Sequence, residues 1–351
     1  MSIELSAFAK QTLNDPAFIA VRDRRMTELT NFFQSPNTPH TLSDIPFVTG
    51  VSVWWPGAFC DEQSEILPPE VWVKNSLEEL ARHVSTHQND PLFCPLTMEY
   101  HHYGVHFVDR LFGAEIFVRG RQIYNKYLLT PVGELEYPDL DNHPLWIYSK
   151  RVLQAFLDAD VKLPYFGLPV IASALNIAIN LYGQEFLCAM LEEPEAAKHD
   201  LAVITKLLCD LHRYYKDRLP PEQLQPVVVS TRAQPVGCGQ ICGCSTHLIS
   251  KELYDEFIAP CDEAVLKVYD HPGMIHLCGS HSQHIETFRN MKHLHAVQVN
   301  DRAADDLQLY FEGLREDQVI YFTPTPAVSL EDAMRITEGR RMVLCGIGRP
   351  E

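Results

Sequence analysis

The feature that most constrains this chain is a regular alternation of short apolar runs with amphipathic helical patterns in its second half. Runs rich in β-branched residues predict buried strands, and a period near 3.6 residues predicts helices. The predicted strands cover residues 168–175, 226–231, 273–279, 295–301, 318–324 and 341–348. Helices are predicted between them, and Ser250 and Ser329 are the predicted N-caps of two of these helices. Strands that alternate with crossover helices run parallel, so the sequence predicts a parallel α/β fold.

The number of strand–helix units favours a closed barrel over an open sheet. Five units follow one another, and no glycine-rich dinucleotide loop accompanies them. We therefore predict an α/β fold in which residues 1–351 form a single (β/α)8 TIM-like barrel with extra N-terminal helices. Residues 1–90, rich in proline and aromatic residues, are predicted to form an N-terminal arm packed on the barrel. Catalytic groups of such barrels lie at the carboxyl ends of the strands, which here are Cys278, Asn300, Asp301, Thr323 and Cys345.

Acidic residues outnumber basic ones, with 46 Asp and Glu against 29 Lys and Arg and a net charge of −17. Such a surface repels nucleic acid and anionic lipid, which leaves small molecules, metal cations or other proteins as partners.

No apolar run is long enough to span a membrane, and the N-terminal MSIELSAFAKQTL lacks the apolar core of a signal peptide. We therefore predict a cytoplasmic protein with reduced cysteines. The oligomeric state stays open, a homo-oligomer included.

A histidine and a cysteine two residues apart form the strongest candidate for a metal site. His276 and Cys278 lie in one predicted strand, where a period of two places both side chains on the same face. Cys345 holds the corresponding place on the last predicted strand. Two thiolates and an imidazole suit zinc, and three protein ligands leave the fourth position open, as in catalytic zinc sites. The alternative is that His276 is a buried histidine with satisfied hydrogen bonds and that both cysteines only fill the core.

A second group of cysteines lies in the segment GCGQICGC. Cys238, Cys242 and Cys244 have a C-x3-C-x-C spacing that could ligate zinc or an iron–sulfur cluster. No fourth cysteine follows at a familiar spacing, and the glycines are typical of a tight loop. We therefore expect Cys242 or Cys244 to supply a fourth zinc ligand or the wall of a pocket. Water and Glu99 are the other candidates for that fourth position.

Two carboxylates are candidate catalytic residues. Asp301 ends the strand that follows the one with His276, so it could orient a ligand or bind a substrate group. Glu99, in the histidine-rich segment MEYHHYGVHF, is the second candidate.

Two further segments, MEYHHYGVHF and CGSHSQH, are rich in histidine. The first segment holds Glu99, His101, His102 and His106, which could form a metal site. We predict instead that they belong to a rim of solvated or substrate-facing polar groups. His281 and His284 begin the helix after Cys278 and are predicted to lie at the rim or on the surface. The sequence contains no G-x-S-x-G elbow, no Walker loop and no dinucleotide fingerprint, which argues against serine-nucleophile and nucleotide chemistry.

Two long segments resemble the uroporphyrinogen decarboxylase superfamily. LPVIASALNIAINLYGQEFLCAMLEEPEAAKHDL is similar to its strand–helix segment that leads into an L…EEPE motif, and HLISKELYDEFIAPCDEAVL is similar to its lSpe-F-eF-lP helix. The order of elements agrees with the superfamily over residues 165–348, and the N-terminal half resembles it poorly. The resemblance implies that the whole chain is one barrel domain.

Within that superfamily the chain resembles the branch of zinc-dependent, corrinoid-linked methyltransferases, such as methylcobamide:coenzyme M methyltransferase. The signature of this branch is H-x-C followed downstream by a cysteine, and His276, Cys278 and Cys345 match it in type, order and strand placement. The decarboxylase motifs MRQAGR and GHG are replaced by VRDRRM near residue 21 and by CGIG on the last strand. These two differences argue against porphyrinogen decarboxylation.

The resemblance implies an enzyme that moves a methyl group between a corrinoid and a small thiol-type acceptor bound at zinc. The corrinoid would be carried by a separate corrinoid protein. Two alternatives remain: a metal-free decarboxylase of the same superfamily, and a non-catalytic subunit that binds a corrinoid protein. The sequence identifies neither the methyl donor nor the acceptor.

Overall fold

A computed structural model describes residues 3–48, 51–53, 67–87, 96–100, 102–119, 122–170, 172–225 and 232–345. Within this part of the chain the strands are β1 (Phe47–Val48), β2 (Val51–Val53), β3 (Leu96–Glu99), β4 (Ile116–Arg119), β5 (Gln122–Asn125), β6 (Tyr165–Gly167), β7 (Leu224–Gln225), β8 (Cys238–Cys242), β9 (His271–Cys278), β10 (Leu294–Asn300), β11 (Val319–Phe322) and β12 (Met342–Cys345). The strand predicted over 226–231 lies outside the described residues.

The strands form parallel sheets, which confirms the predicted parallel α/β arrangement. One sheet has the order β1-β12-β11-β10-β9-β8, and a second has the order β2-β3-β6-β7. Strands β4 and β5 form a separate antiparallel hairpin. A parallel bridge between Ala172 and Cys242 links the chain after β6 to the end of β8.

Helices follow or precede most of these strands, as expected for crossover connections. They are α1 (Ala7–Leu13), α2 (Pro16–Gln34), α3 (Pro69–His87), α4 (Phe107–Leu111), α5 (Pro144–Asp158), α6 (Ala174–Tyr182), α7 (Gln184–Glu192), α8 (Pro194–Lys216), α9 (Lys251–Leu253), α10 (Ala259–Leu266), α11 (Ile285–Asn290), α12 (Arg302–Asp305), α13 (Leu307–Gly313) and α14 (Leu330–Thr337). A π-helical turn joins α9 to α10, and short 3-10 turns cover 104–106, 221–223, 244–248 and 282–284. None of the helices in the described residues is long and apolar enough to cross a membrane.

Side-chain caps begin several helices where the sequence predicts them. The hydroxyl of Ser250 accepts a hydrogen bond from the backbone N–H of Leu253, and Ser329 forms a capping box with Asp332. The strand predicted over 168–175 is wrong in its position. It lies earlier, in β6, and Ser173 already caps α6. A serine that caps a helix satisfies a free backbone N–H group, and this contact fixes the boundary.

The long parallel strands divide their side chains between two apolar clusters. Alternate residues pack with α2 in what we call the α2 cluster, which includes Met26, Leu29, Phe33, Met274, Ala296, Val319, Tyr321, Val343 and Cys345. The residues between them pack in the main core, which includes Ile275, Leu277, Val297, Val299, Ile320, Phe322, Met342 and Leu344. Successive residues of a strand point to opposite faces, so both faces of this sheet are buried. This explains why the strands appear in the sequence as nearly continuous apolar runs.

On the face of the α2 cluster, the side chains become polar toward the carboxyl end of each strand. In β9 the order on this face is Met274, His276 and Cys278. In β10 it is Ala296, Gln298 and Asn300. The apolar residues therefore close one end of this face, and donor side chains collect at the other end.

The buried carboxyl group of Asp262 in α10 provides a test of the packing of the outer helices. Asp262 is 1% exposed, and its Oδ2 accepts a hydrogen bond of 2.9 Å from the hydroxyl of Tyr254. Burial raises the pKa of Asp262 to about 7. The native state therefore binds a proton that the unfolded state releases at a lower pH, and stability falls as pH rises from about 4 to about 7.

We predict that Asp262→Asn flattens this pH dependence and raises the free energy of unfolding at pH 8 by up to about 4 kcal/mol, because the pKa of Asp262 is raised by about 3 and each pKa unit corresponds to about 1.4 kcal/mol. Urea unfolding at pH 5 and pH 8 measures the effect. Glu222→Gln, which removes an exposed carboxylate, is the control and should leave the pH dependence unchanged. An Asp262→Asn protein with the pH dependence of the unaltered chain would contradict the prediction.

Candidate metal centre

The polar ends of neighbouring strands bring thiols and an imidazole together. In the register of the sheet, His276 of β9 lies between Cys242 of β8 and Gln298 of β10. One step further along the strands, Cys278 lies beside Asn300. Because the strands are parallel, all these side chains are at carboxyl ends, the end at which α/β proteins place their chemistry.

Three residues form the tightest group of potential metal ligands in the described part of the chain. The ligand atoms of Cys242, Cys244 and His276 all lie within 4.8 Å of one another. The sulfur atoms of Cys242 and Cys244 are 3.3 Å apart. Between these two cysteines, a Cβ atom at Gly243 would lie only 2.7 Å from the side chain of Ile275, so glycine allows the close approach of the chain to β9.

Cys278 lies directly beside this group. Its sulfur is 3.1 Å from Nε2 of His276, and the Nδ2 amide of Asn300 donates to it over 3.8 Å. Its side chain also interacts with that of Cys244. The two predicted ligands His276 and Cys278 are therefore in direct contact, and the cysteine pair of the GCGQICGC segment is next to both.

His276 is held so that one ring nitrogen faces the thiols. Its Nδ1 is hydrogen-bonded to Oε1 of Gln298, and its Nε2 lies 3.4 Å from the guanidinium of Arg232. The imidazole is 4% exposed, so these contacts replace water. A histidine in this arrangement presents Nε2 for ligation and uses Nδ1 for support.

The thiols differ strongly in their affinity for a proton. The hydrogen bond with Cys244 lowers the pKa of Cys242 to about 6 and that of Cys278 to about 3, and His276 contributes to the lowering in both cases. The same contacts with Cys242 and Cys278 raise the pKa of Cys244. Cys242 and Cys278 therefore lose a proton more readily than Cys244, and the thiolate is the form of cysteine that binds a metal ion.

Cys345 occupies a more enclosed position. It is 1% exposed, and its sulfur lies 3.4 Å from the hydroxyl of Thr323 and 4.0 Å from Nε2 of Gln298. Burial raises its pKa, although the nearby Arg232 acts in the opposite direction. Gln298 therefore stands between Cys345 and His276, and Arg232 acts electrostatically on Cys345 as well as on Cys242.

A buried histidine joins the loops that carry the thiols. Nε2 of His281 is 2.8 Å from the carbonyl oxygen of Cys278, and its Nδ1 is 3.0 Å from the hydroxyl of Thr246, two residues after Cys244. His284 bonds to the carbonyl oxygen of Thr246 over 2.9 Å. Burial lowers the pKa of His281 to about 4. The prediction that His281 and His284 lie at the rim or the surface is wrong, because both are fully buried between these loops.

The candidate carboxylates lie in contrasting environments. Glu99, at the end of β3, is 1% exposed, whereas Asp301 is exposed and accepts a hydrogen bond of 3.2 Å from Asn300. Asp301 also has a φ of 48°, a region that favours glycine. Such backbone strain is retained at many functional sites.

His102 and His106 are buried, so the prediction that they are solvated is wrong, whereas a substrate-facing role for them stays a prediction. His101 lies outside the described residues. His102 is 4% exposed and His106 is 8% exposed. Nδ1 of His106 is 2.6 Å from a carboxylate oxygen of Asp109, and Asn180 donates to the same oxygen over 2.8 Å. These groups form a buried network between α4 and α6. Asp109 is three residues after His106, a helical spacing that could have indicated the pair.

Three contributors to the centre were missed in the sequence: Gln298, Asn300 as a partner of Cys278, and Arg232. Gln298 carries a signal, because it lies two residues before Asn300 on the same face of a predicted strand and is polar in an otherwise apolar run. Arg232 follows a predicted strand and carries no pattern of its own.

The donor set fits a thiophilic metal ion. Sulfur and imidazole nitrogen are the ligands that zinc prefers, and no carboxylate belongs to the tight group. The residues present therefore fit the zinc ion implied by the sequence resemblance.

Comparison with known proteins defines the class of fold. The structure is similar to a solved structure described as a methyltransferase from Methanosarcina mazei, with a TM-score of 0.61 and 13% sequence identity. The similarity covers 92% of this chain and 93% of that one. It shows that the two chains share a fold along nearly their whole length. The sequence matches no protein-family model and no curated protein.

The strained backbone at Asp301 yields a stability prediction. Asp301→Gly should raise the free energy of unfolding by about 1 kcal/mol, because glycine adopts a positive φ at little steric cost. Glu312→Gly, in the exposed face of α13, should lower it by about the same amount, since glycine is unfavourable inside a helix. Urea unfolding of both proteins checks the pair. A destabilised Asp301→Gly protein would show that contacts of the carboxylate outweigh the strain.

Proposed function

We propose that this protein is a zinc-dependent methyltransferase that moves a methyl group between a corrinoid and a small thiol. The observation that carries the proposal is the group of thiols around His276, at the carboxyl ends of parallel strands, in a chain whose fold is shared with a methyltransferase. The sequence resemblance to the corrinoid-linked branch supports a corrinoid as one partner in the transfer. The thiol group disfavours the metal-free decarboxylase, because that reaction has no use for it.

We further propose that the parallel strands close into an eight-stranded barrel. Pairing of β1 with β12 and of β2 with β3 supports closure on one side, if β1 and β2 belong to one barrel strand. The Ala172–Cys242 bridge supports closure on the other side. The barrel strands would then be β1 with β2, β3, β6, β8, β9, β10, β11 and β12, while the two-residue β7 pairs with β6. In this arrangement the α2 cluster fills the interior, and the thiols line the mouth.

In the proposed centre, His276, Cys278 and Cys345 hold the zinc ion, and the pair Cys242–Cys244 lies at the fourth position. Direct contact between His276 and Cys278 supports the first two ligands. The link of Cys345 to His276 through Gln298 supports the third. The cysteine pair lies within ligand distance of His276, so an incoming thiol would replace one of its sulfur atoms.

Zinc bound here would lower the pKa of a ligated substrate thiol, so that the thiolate forms at neutral pH. The sulfur–carbon bond then forms while the cobalt–carbon bond of the methylated corrinoid breaks, and the electron pair of that bond stays on cobalt. The thiol proton leaves to solvent. The chain orients the two reactants at the strand ends, which contributes to the rate. Asp301, exposed beside Asn300, would contact a substrate group at the rim.

The proposed partners follow from the same reaction. The corrinoid would arrive on a separate corrinoid protein, and the acceptor would be a small thiol. The net charge of −17 disfavours a polyanionic substrate. Glu99, buried at the end of β3, is the proposed second catalytic carboxylate.

Metal analysis tests the proposed centre. The purified protein should contain about one zinc ion per chain, and His276→Ala and Cys278→Ser should each lose it, because removal of one ligand sharply lowers affinity. Cys209→Ser is a matched control, since this buried thiol contacts the carbonyl oxygen of Ala264 between outer helices. It should retain the zinc. A metal-free protein, or a Cys278→Ser protein with full zinc content, would contradict the proposed site.

An activity assay tests the reaction. Methylcobalamin and a panel of small thiols should yield a thioether and the reduced corrinoid, followed by the change in corrinoid absorbance. Cys345→Ser should reduce the rate by more than about 100-fold if this thiol is a ligand, since loss of a few kcal/mol corresponds to that factor. Binding of a corrinoid protein with no methylation of any thiol would instead support a non-catalytic role.

A further inference from the structure

We infer that Gln298 is a positioning residue that determines which nitrogen of His276 faces the metal and holds Cys345 at the same time. Its effect on metal binding rests on the proposed function. Its effect on the position of the proton on the His276 imidazole, measured in the metal-free protein, is independent of the proposed function. The two claims can therefore be tested separately.

Gln298 is placed for this role by the register of the sheet. It lies opposite His276 in the pairing of β10 with β9, and it is 4% exposed. Its Oε1 is hydrogen-bonded to Nδ1 of His276, and its Nε2 donates to the sulfur of Cys345 over 4.0 Å. One buried amide therefore contacts two proposed ligands from two different strands.

Nε2 of His276 has two neighbours with opposite requirements. The guanidinium of Arg232, 3.4 Å away, can only donate a hydrogen bond, whereas the sulfur of Cys278, 3.1 Å away, can accept one as a thiolate. The contact at Nδ1 decides between them, because the carbonyl oxygen of Gln298 only accepts and therefore favours the proton on Nδ1. A neutral imidazole with its proton on Nδ1 presents a lone pair on Nε2. The amide nitrogen is then directed toward Cys345, where it can stabilise a thiolate.

Other buried glutamines of this chain behave differently. The amide of Gln318 donates to the carbonyl oxygens of Phe288 and Leu294, over 2.9 and 3.0 Å. The amide of Gln223 likewise donates to two backbone carbonyl oxygens. These hydrogen bonds hold neighbouring backbone segments in position. Gln298 instead contacts the side chains of two proposed ligands, as expected for a residue that supports a metal site from behind.

The contact with Gln298 therefore keeps Nε2 of His276 free of its proton and directed at the metal position before a metal binds. Without the acceptor at Nδ1, the imidazole can move its proton to Nε2, and the metal must then displace that proton and reorient the ring. Loss of such a supporting contact lowers metal affinity by about 10- to 100-fold in comparable sites. The amide donor to Cys345 adds a second, separable contribution.

Three variants separate these contributions. Gln298→Met keeps the size of the side chain and removes both contacts. Gln298→Glu keeps an acceptor for Nδ1–H and removes the donor to Cys345. Gln318→Met is the matched control, because it removes an equally buried amide that is bonded only to backbone. Thermal unfolding of all three shows whether each is folded at the temperature of the measurements.

Two readouts are needed. In the metal-free protein, ¹⁵N chemical shifts of the imidazoles above pH 8 report which nitrogen carries the proton, with His276→Gln used for assignment. In the metal-loaded protein, competition with a chelator gives the zinc affinity, and cobalt substitution gives a visible spectrum that depends on ligand geometry. Neither readout requires methyl transfer.

We expect the unaltered protein and Gln298→Glu to hold the proton on Nδ1, and Gln298→Met to shift it to Nε2. Zinc affinity should fall by about 10- to 100-fold in Gln298→Met and by a smaller factor in Gln298→Glu. Gln318→Met should keep both properties. An unchanged tautomer and affinity in Gln298→Met would overturn the inference, as would an equal loss of affinity in Gln318→Met. If the unaltered protein binds no zinc, the proposed function fails, and the tautomer alone decides the inference.

Discussion

The arrangement of the centre depends on one constraint, which is that successive residues of a strand point to opposite faces. In β9 and β10 this rule sends Ile275, Leu277, Val297 and Val299 to the main core and leaves Met274, Ala296 and their successors on the face of the α2 cluster. Apolar packing on that face ends where His276 and Gln298 begin. The donor side chains of neighbouring strands therefore lie side by side, because the polar residues of these parallel strands are paired in register.

Burial then makes hydrogen bonding between these donors obligatory. His276, Gln298 and Cys345 are each nearly inaccessible to water, so an unpaired polar atom among them would be costly. The pairs His276–Gln298 and Gln298–Cys345 satisfy this requirement across three strands. The loops are fixed by the same means, since His281 joins the turn after Cys244 to the carbonyl oxygen of Cys278. Sheet register and loop contacts together hold this group of thiols, so a metal ion that binds there would meet ligands already in position.

The sequence was sufficient for those features that depend on local periodicity. The alternation of apolar residues predicts strands β9 to β12 and the shared face of His276 and Cys278. Serine at the start of a helical pattern predicts the caps at Ser250 and Ser329. Features that depend on distant contacts were not accessible. The burial of His281 requires Thr246, and the closeness of Cys242 to His276 requires the pairing of β8 with β9. Gln298 was visible as a polar residue in an apolar strand, but its two partners come from other strands.

The central claim is that sulfur and imidazole side chains of this chain hold a zinc ion. X-ray absorption at the zinc edge of the purified protein tests it most directly, because the spectrum reports the ligand atoms themselves. The account predicts two or three sulfur neighbours at about 2.3 Å together with one nitrogen at about 2.0 Å. A first shell of oxygen and nitrogen alone, or a protein that retains no zinc, would contradict it.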